Sequence, residues 1–294
     1  MIWFAARKLL GLIATLVIAA AILFAILELV PSGPADQSAF ERFLRWFAGM
    51  LIGDFGVSPS LAAPAGTAIA ERLAVTLPLT LLALLFACGI GTAGLGLARH
   101  HDSVWARALL AVTRGVASVP DFWLGMLLVL LFSSTLRWFP QGGFIPWTEN
   151  PLVALLSLLL PALALALPLG VVLARIVYRA MRDIPTSPAV RGAQARGLSQ
   201  QEAVRRHGLR PALLAMLSAA GLSLATLIAG AVIVENAFSL PGLGRLILDA
   251  VIARDPVLVR GGLAVIIFCI AGSLYLVDLA GAWIDPRRRG WSSR

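Results

Sequence analysis

Residues 79–97 read LTLLALLFACGIGTAGLGL, without one charged side chain. A continuous apolar run of that length crosses about 30 Å of hydrocarbon when coiled as an α-helix. A membrane strand would instead alternate apolar and polar positions over segments of about 10 residues, and this stretch does not alternate. Moving outward in both directions, further apolar blocks fall at 9–30, 119–138, 152–174, 212–234 and 262–283, and the block around 79–97 extends back to 75. Charged residues make up only 13% of the chain and hydrophobic ones 59%, against roughly 25% charged in soluble domains. The pattern predicts an all-α integral membrane protein with six transmembrane helices.

The net charge is +9, which raises the question of nucleic acid. The basic residues lie between the apolar blocks, and their distribution is that of membrane topology rather than of a nucleic-acid surface. With both termini placed in the cytoplasm, 17 of the 24 basic side chains fall inside. They are Arg7 and Lys8, then Arg99, Arg107 and Arg114, then eight arginines within 175–210, then Arg287, Arg288, Arg289 and Arg294. The positive-inside rule therefore sets the orientation. The block at 9–30 is longer than the 7–15 apolar residues of a typical leader and reads as a retained first helix. Cys88 and Cys269 each sit within a block and read as small packing residues.

Catalytic chemistry is absent from the motifs. The sole lysine, Lys8, stands in Arg-Lys-Leu-Leu, so no P-loop exists, and neither His-Glu-x-x-His nor Gly-x-Ser-x-Gly occurs. His100 and His101 read as solvated loop residues. Glu28, Asp121 and Asp278 border the blocks near helix ends, where an interfacial or structural role is expected. Within the blocks, Pro161 and Pro168 should bend the fourth helix. Ala83, Ala87 and Gly91 form one row of small residues, and Gly221, Ala225 and Ala229 another, for close helix approach.

Two connections are too long to be turns. The outer one, 31–71, contains an amphipathic stretch at 41–52. The inner one, 175–210, is the most charged part of the chain. Its second half runs SPAVRGAQARGLSQQEAVRRHGLRPAL from Ser187. Ser187 before Pro188 is a helix start, Gly197 suits a left-handed helix stop, and Ser199 with Glu202 forms a capping box. Two short capped helices joined by a tight turn exceed what a connection needs and read as a docking element for another protein.

This segment resembles the coupling loop of the permease subunits of ATP-binding-cassette importers. In the peptide and nickel branch the loop runs approximately acidic-aromatic-Val-Arg-Thr-Ala-Arg-Ala-Lys-Gly-Leu-Ser and, further on, Arg-His-Ala-Leu-Arg-Asn-Ala. Val190, Arg191, Ala193, Ala195, Gly197, Leu198, Ser199, Arg206, His207, Leu209, Arg210 and Ala212 match in place. Pro188, Ala189, Gly192, Gln194 and Pro211 depart from it. Pro31-Ser-Gly-Pro-Ala35, Gly53-Asp-Phe-Gly-Val-Ser58, Ser118-Val-Pro-Asp-Phe-Trp-Leu-Gly125, Glu235-Asn-Ala-Phe-Ser-Leu-Pro-Gly-Leu-Gly244 and Asp285-Pro-Arg287 are similar to further motifs of that branch, in the same order. Together they resemble the B-type permease of dipeptide, oligopeptide and nickel systems, with the MetI-like, type I importer fold.

The resemblance implies an N-terminal helix and periplasmic segment at 1–71, then a five-helix permease core at 72–294 carrying two short cytoplasmic coupling helices. It implies a heterodimer with a homologous C-type permease, two cytoplasmic ATPases and an extracytoplasmic solute-binding protein, in the bacterial inner membrane. The chain itself would bind no cofactor and no metal and catalyse nothing, with ATP and Mg held by the partner subunits. The cargo would be a short peptide or a comparable solute such as a nickel chelate or an opine. Val190, Arg191, Ala193, Ala195, Gly197, Leu198, Ser199, Glu202, Arg206 and His207 are the expected coupling residues. Glu235, Phe238, Pro241, Gly242, Leu243 and Gly244 are expected at the external gate or at the dock for the binding protein, ahead of an amphipathic stretch at 245–252. A carrier driven by an ion gradient would need ionisable groups near the midplane, and an intramembrane protease a nucleophile with a base; neither pattern occurs.

Overall fold

The computed structural model describes residues 2–28, 38–99, 111, 115, 119, 121–138 and 143–284. The chain is helical almost throughout. Helix α1 spans Ile2–Glu28 and α2 Ala39–Leu51; a two-stranded hairpin, β1 (Val57–Ser58) and β2 (Ala63–Pro64), leads into α3, Ala65–Arg99. Then come α4 (Asp121–Leu128), which widens into a π-helical stretch at Val129–Thr135, and α5 (Pro151–Asp183). After a 3₁₀ turn at Ile184–Thr186 follow α6 (Pro188–Ala195), α7 (Gln200–Leu222), α8 (Leu224–Ala237), α9 (Leu243–Ile252) and α10 (Pro256–Ile284).

Four of these are long and apolar enough to cross a membrane alone: Trp3–Glu28, Ala65–Gly96, Pro151–Thr186 and Pro256–Ala282. The fifth block is not one straight helix. It is the pair α7 and α8, which bends by 49°. The bend falls at Ser223, whose Oγ folds back onto the Ala219 carbonyl at 2.9 Å. Serine back-bonding of this kind loosens the helical ladder. The small-residue row expected on the fifth helix is broken by the bend: Gly221 packs against Val277, whereas Ala229 is exposed. Among the described residues, the third block contributes the apolar helix at Trp123–Phe132, shorter than a full crossing.

Starts are set by a recurrent local signal. Asn150, Ser187 and Asp255 each stand before a proline and accept hydrogen bonds from the first free amides of α5, α6 and α10. Proline fits the first helical position because its missing N–H is not needed there. The amphipathic stretch expected at 41–52 is α2, started by a full capping box between Ser38 and Glu41.

The core lies where α3 runs along α5. Ala83 and Ala87 are fully buried, and a Cβ on Gly94 would lie 2.2 Å from the Ala174 carbonyl oxygen. The row Ala83, Ala87, Gly91 is buried against neighbouring side chains, a Cβ on Gly91 lying 3.0 Å from Leu173 Cβ, and Gly94 beyond it lets the two backbones meet. Leu79, Leu158, Leu165, Leu227, Val234 and Phe238 fill the half of this core nearer Glu235; Leu173, Val177, Ala212 and Met216 fill the other half.

The inner connection is shorter than the 175–210 expected. Helix α5 continues to Asp183, and α7 starts at Gln200. Ile176, Val177 and Met181 keep α5 packed past its last apolar block, and packing carries a helix through charged residues on its free side. In the same way α3 begins at Ala65, well before position 75, because Ala65 and Ile69 pack under α9 and α10.

Candidate functional site: an inner elbow and an outer knot

The elbow is built on α6 and the first turns of α7. Ser187 accepts from the Val190 amide at 3.4 Å, and Ser199 from the Glu202 amide at 3.3 Å. Gly197 takes φ +92°, and its amide closes on the Gln194 carbonyl at 2.9 Å. Nothing lies within 4 Å of where its Cβ would stand. Glycine is therefore required by backbone conformation alone. The second coupling helix is not a separate short element, as the sequence suggested. It is the first part of α7 and continues into the bent pair, since Pro211 sits inside a helix already packed through Ala203 and Ala212.

The expected coupling residues divide by burial. Val190, Ala193 and Ala203 are fully buried around Ile184 and hold the elbow together. Leu198 packs partly against them. Arg191, Ala195, Gly197, Ser199, Glu202 and Arg206 are exposed and form its outward face. Side chains of His207 and Arg210 fall outside the described set, as do His100, His101 and residues 285–294. Beside the elbow a cavity of about 710 Å³ opens between Leu95, Met181, Val204 and Leu209, with Gln200, Gln201 and Arg205 at its edge.

At the other end Glu235 forms a knot. Its side chain is fully buried at the end of α8. Oε1 accepts from the Thr76 hydroxyl at 2.6 Å, and Oε2 accepts from the Gly244 and Arg245 amides at 2.8 and 3.3 Å. The Thr76 oxygen in turn accepts from the Leu243 amide at 2.8 Å. One carboxylate thereby caps α9, where a negative charge meets the free amides of a helix start, and ties it to α3. A Cβ on Gly242 would lie 2.1 Å from Glu235 Cδ, and one on Gly244 2.5 Å from Val232 Cα. The Pro-Gly-Leu-Gly turn needs both glycines because it passes directly over α8.

Phe238 and Leu243 are buried as well, at 5% and 1% exposure, Phe238 lying close enough to α4 that a Cβ on Gly125 would touch its ring at 2.9 Å. These two residues do not offer a contact surface. Within this chain the motif 235–244 serves as a frame that ties α8, α9 and α3 together. The amphipathic stretch expected at 245–252 is α9, with Leu246 and Ala250 inward and Leu248, Val251 and Ile252 outward.

Asp255 is a second knot, one the sequence reading missed. Its Oδ2 accepts from the hydroxyls of Ser58 and Ser60 and from the Ser60 amide, and its Oδ1 from the Val257 and Leu258 amides. It caps α10 and clamps the hairpin to it. Burial alone would raise its carboxyl; the hydrogen bonds from Ser58 and Ser60 outweigh that and hold it below the usual carboxylate range. The Asp-Pro start at Asp255 was the available signal. Glu28 and Asp278, expected at helix ends, pair there with Arg42 and Lys8. Neither knot brings together metal-binding groups, and no cluster of three or more such side chains occurs among the described residues.

Comparison with known proteins gives these features a setting. Residues 90–290 match the family of binding-protein-dependent transport system inner membrane components. The chain is 37% identical over 255 residues to a protein named as a peptide transport system permease of Brucella abortus strain 2308, covering 86% of this chain and 81% of that one. It is 30% identical over 308 residues to the glutathione transport system permease protein GsiC of Escherichia coli K12, covering 96% and 97%. Its fold is similar to that of a chain from the inward-facing MetNI methionine ABC transporter, with a TM-score of 0.57 and 20% identity over 75% of this chain and 96% of that one. On this evidence the chain belongs to the binding-protein-dependent transport system inner membrane components, as a multi-pass, non-catalytic permease subunit.

Proposed function

We propose that this chain forms half of the translocation pathway of an ATP-driven importer for short peptides, paired with a homologous C-type permease. Two cytoplasmic ATPases would dock on the elbow, and an extracytoplasmic binding protein would deliver cargo at the knotted end. The observation that carries the reading is the elbow. Buried Val190 and Ala193 hold it to the ends of α5 and α7, while Arg191, Glu202 and Arg206 face outward. A push on α6 is thus delivered to the base of the bent pair, and the bend is where an inward-open and an outward-open bundle would differ. The peptide and glutathione permeases among the relatives support a short-peptide cargo; nickel chelates and opines remain the other small solutes of that branch.

In this reading six crossings place both termini and the elbow in the cytoplasm and residues 31–71 outside. ATP and Mg belong to the partner subunits. The test is reconstitution of the complex with its ATPases and binding protein. Binding-protein-stimulated ATP hydrolysis and uptake of labelled dipeptide, both lost on disrupting the elbow with membrane abundance unchanged, support the reading. Impermeant labelling of a cysteine at position 200 from the periplasmic side, in a background lacking Cys88 and Cys269, would sink the topology.

A further inference from the structure

Helix α3 carries a proline in its interior, Pro78. Proline has no N–H, so the Ala74 carbonyl lacks the donor that position 78 would supply in an unbroken helix, and the ring presses that carbonyl outward. Ala74 is exposed and lies in a helix long and apolar enough to span the bilayer. A backbone acceptor freed by proline in such a helix is satisfied by a neighbouring part of the protein. Here the donor is Trp147, whose indole Nε1–H donates to the Ala74 carbonyl at 2.9 Å.

Trp147 sits on the connection between α4 and α5. Gly143, at φ +84°, donates its amide to the Phe238 carbonyl at the end of α8, at 3.2 Å. Phe144 stands edge-on to Trp147, with ring centroids 5.8 Å apart, and both pack against the core of α3, α5 and α8. The Pro146 carbonyl then accepts from the Glu149 and Asn150 amides, and Asn150 starts α5. Residues 143–150 therefore form a strap tied at two backbone carbonyls, one on α8 and one on α3.

Pro78 also falls close to where α3 changes partners. Ala65, Ile69 and Leu73 pack with Leu243, Leu246 and Leu258 of α9 and α10, and Thr76 is held in the Glu235 knot. Val75, Leu79 and Ala83, and then Ala87, pack instead with α5 and the bent pair. Just past the proline the Thr80 hydroxyl donates to the Thr76 and Leu77 carbonyls, at 2.9 and 3.0 Å, a back-bond that bends helices. A long helix bends at its proline, and this one lies between a part of α3 fixed to the frame and a part laid along α5.

We propose that Pro78 is a hinge in α3 and that Trp147 is the latch holding it at the angle seen here. The part of α3 before the proline stays with α9 and α10, and the part after it moves with α5. The strap leads into α5 but grips α3 on the framed side of the hinge, so a change of angle at Pro78 withdraws the Trp147 indole from the Ala74 carbonyl. Trp147 is thus a positioning residue. What the movement serves rests on the importer function proposed above, in which a push on the elbow reaches α5 and α7.

The experiment is a double-mutant cycle on the purified membrane complex. Trp147→Phe keeps a ring and removes the N–H; Pro78→Ala gives the Ala74 carbonyl a donor within its own helix. Trp147→Phe is expected to lower the melting temperature in the wild-type background and by distinctly less in the Pro78→Ala background, because the lost packing is common to both and the hydrogen bond is not. Equal shifts in the two backgrounds would overturn the latch. Pro78→Ala is also expected to reduce dipeptide uptake severalfold in the reconstituted complex at unchanged abundance, because an unbroken helix resists bending. Uptake at the wild-type rate would overturn the hinge. Pro78→Leu makes the same two comparisons should Pro78→Ala fail to accumulate. A wild-type complex without binding-protein-stimulated hydrolysis would sink the importer reading instead, and the melting cycle, which needs no transport, would still decide the latch.

Discussion

The two ends of this molecule solve the same problem in opposite ways. At the knotted end, helix starts are closed by buried carboxylates, Glu235 on α9 and Asp255 on α10, each reaching hydroxyls on a different element. At the elbow end, helix starts are closed by exposed or half-exposed serines, Ser187 and Ser199, which reach only their own helices. A buried carboxylate that satisfies three or more donors cannot let go of one without leaving it unpaired, at about 1–3 kcal/mol each. An exposed serine cap can be exchanged for water at about 1 kcal/mol. The knotted end is therefore a rigid frame, and the elbow end is lightly held. Under the proposed function, that is the asymmetry expected of a permease driven through its elbow.

The sharpest way to break the comparison is at Glu235. Glu235→Ala strands the Gly244 and Arg245 amides, leaves the Thr76 hydroxyl only the Arg72 carbonyl at 3.4 Å, and should cost about 3 kcal/mol. The expected readout is a clear fall in thermal stability and in membrane abundance, with Glu235→Gln intermediate. Gly242→Ala should match it, since the new Cβ meets the carboxylate itself. A normal melting curve for either variant would show that the frame is not held by this knot.

Asp255 ranks next and adds a dependence on pH. Its folded carboxyl titrates below the unfolded value. The stability it contributes is therefore complete above the ordinary carboxylate pKa and is lost as pH falls through the lower, folded one. Asp255→Asn should lower stability at neutral pH and flatten the acid limb of the curve. Trypsin or cysteine-labelling access at residues 57–64 would report release of the hairpin. An acid limb unchanged by the substitution would remove Asp255 from the frame.

At the elbow, smaller energies should have larger functional effects. Gly197→Val forces a β-branched residue to φ +92° at a cost of roughly 1–2 kcal/mol. That is too little to unfold a bundle packed through α3 and α5. Normal abundance and melting, with loss of uptake and of binding-protein-stimulated hydrolysis, is the expected pattern. Full transport by this variant would refute the coupling role, and loss of the protein would show that the turn serves folding.

Smallest is Arg206→Ala. Arg206 is exposed one turn from Glu202, and its removal should change stability by less than about 0.5 kcal/mol. Any loss of hydrolysis coupling beyond that would then come from contact with a partner. His207→Ala, in the same turn, should show a milder form of the Gly197→Val defect in the same assay.

Much of this was written locally. Apolar blocks about 20 residues long, the Ser-Pro start at Ser187, the left-handed glycine at Gly197 and the small row on α3 act over a few residues each, so they are legible from the chain alone. The elbow could be read for that reason. What Glu235 does could not: its partners Thr76 and Gly244 are brought to it only when α3, α8 and α9 meet, and a Glu-to-Pro-Gly-Leu-Gly spacing shows a motif without showing that it is a cap. Asp255 was missed for the same reason, since Ser58 and Ser60 are nearly two hundred positions away. The continuation of α5 to Asp183 and of α7 from Gln200, and the bend at Ser223, were likewise decided by packing. Hydropathy marks where hydrocarbon begins and ends, but a helix runs for as long as one of its faces finds a neighbour, and only the tertiary structure supplies the neighbours.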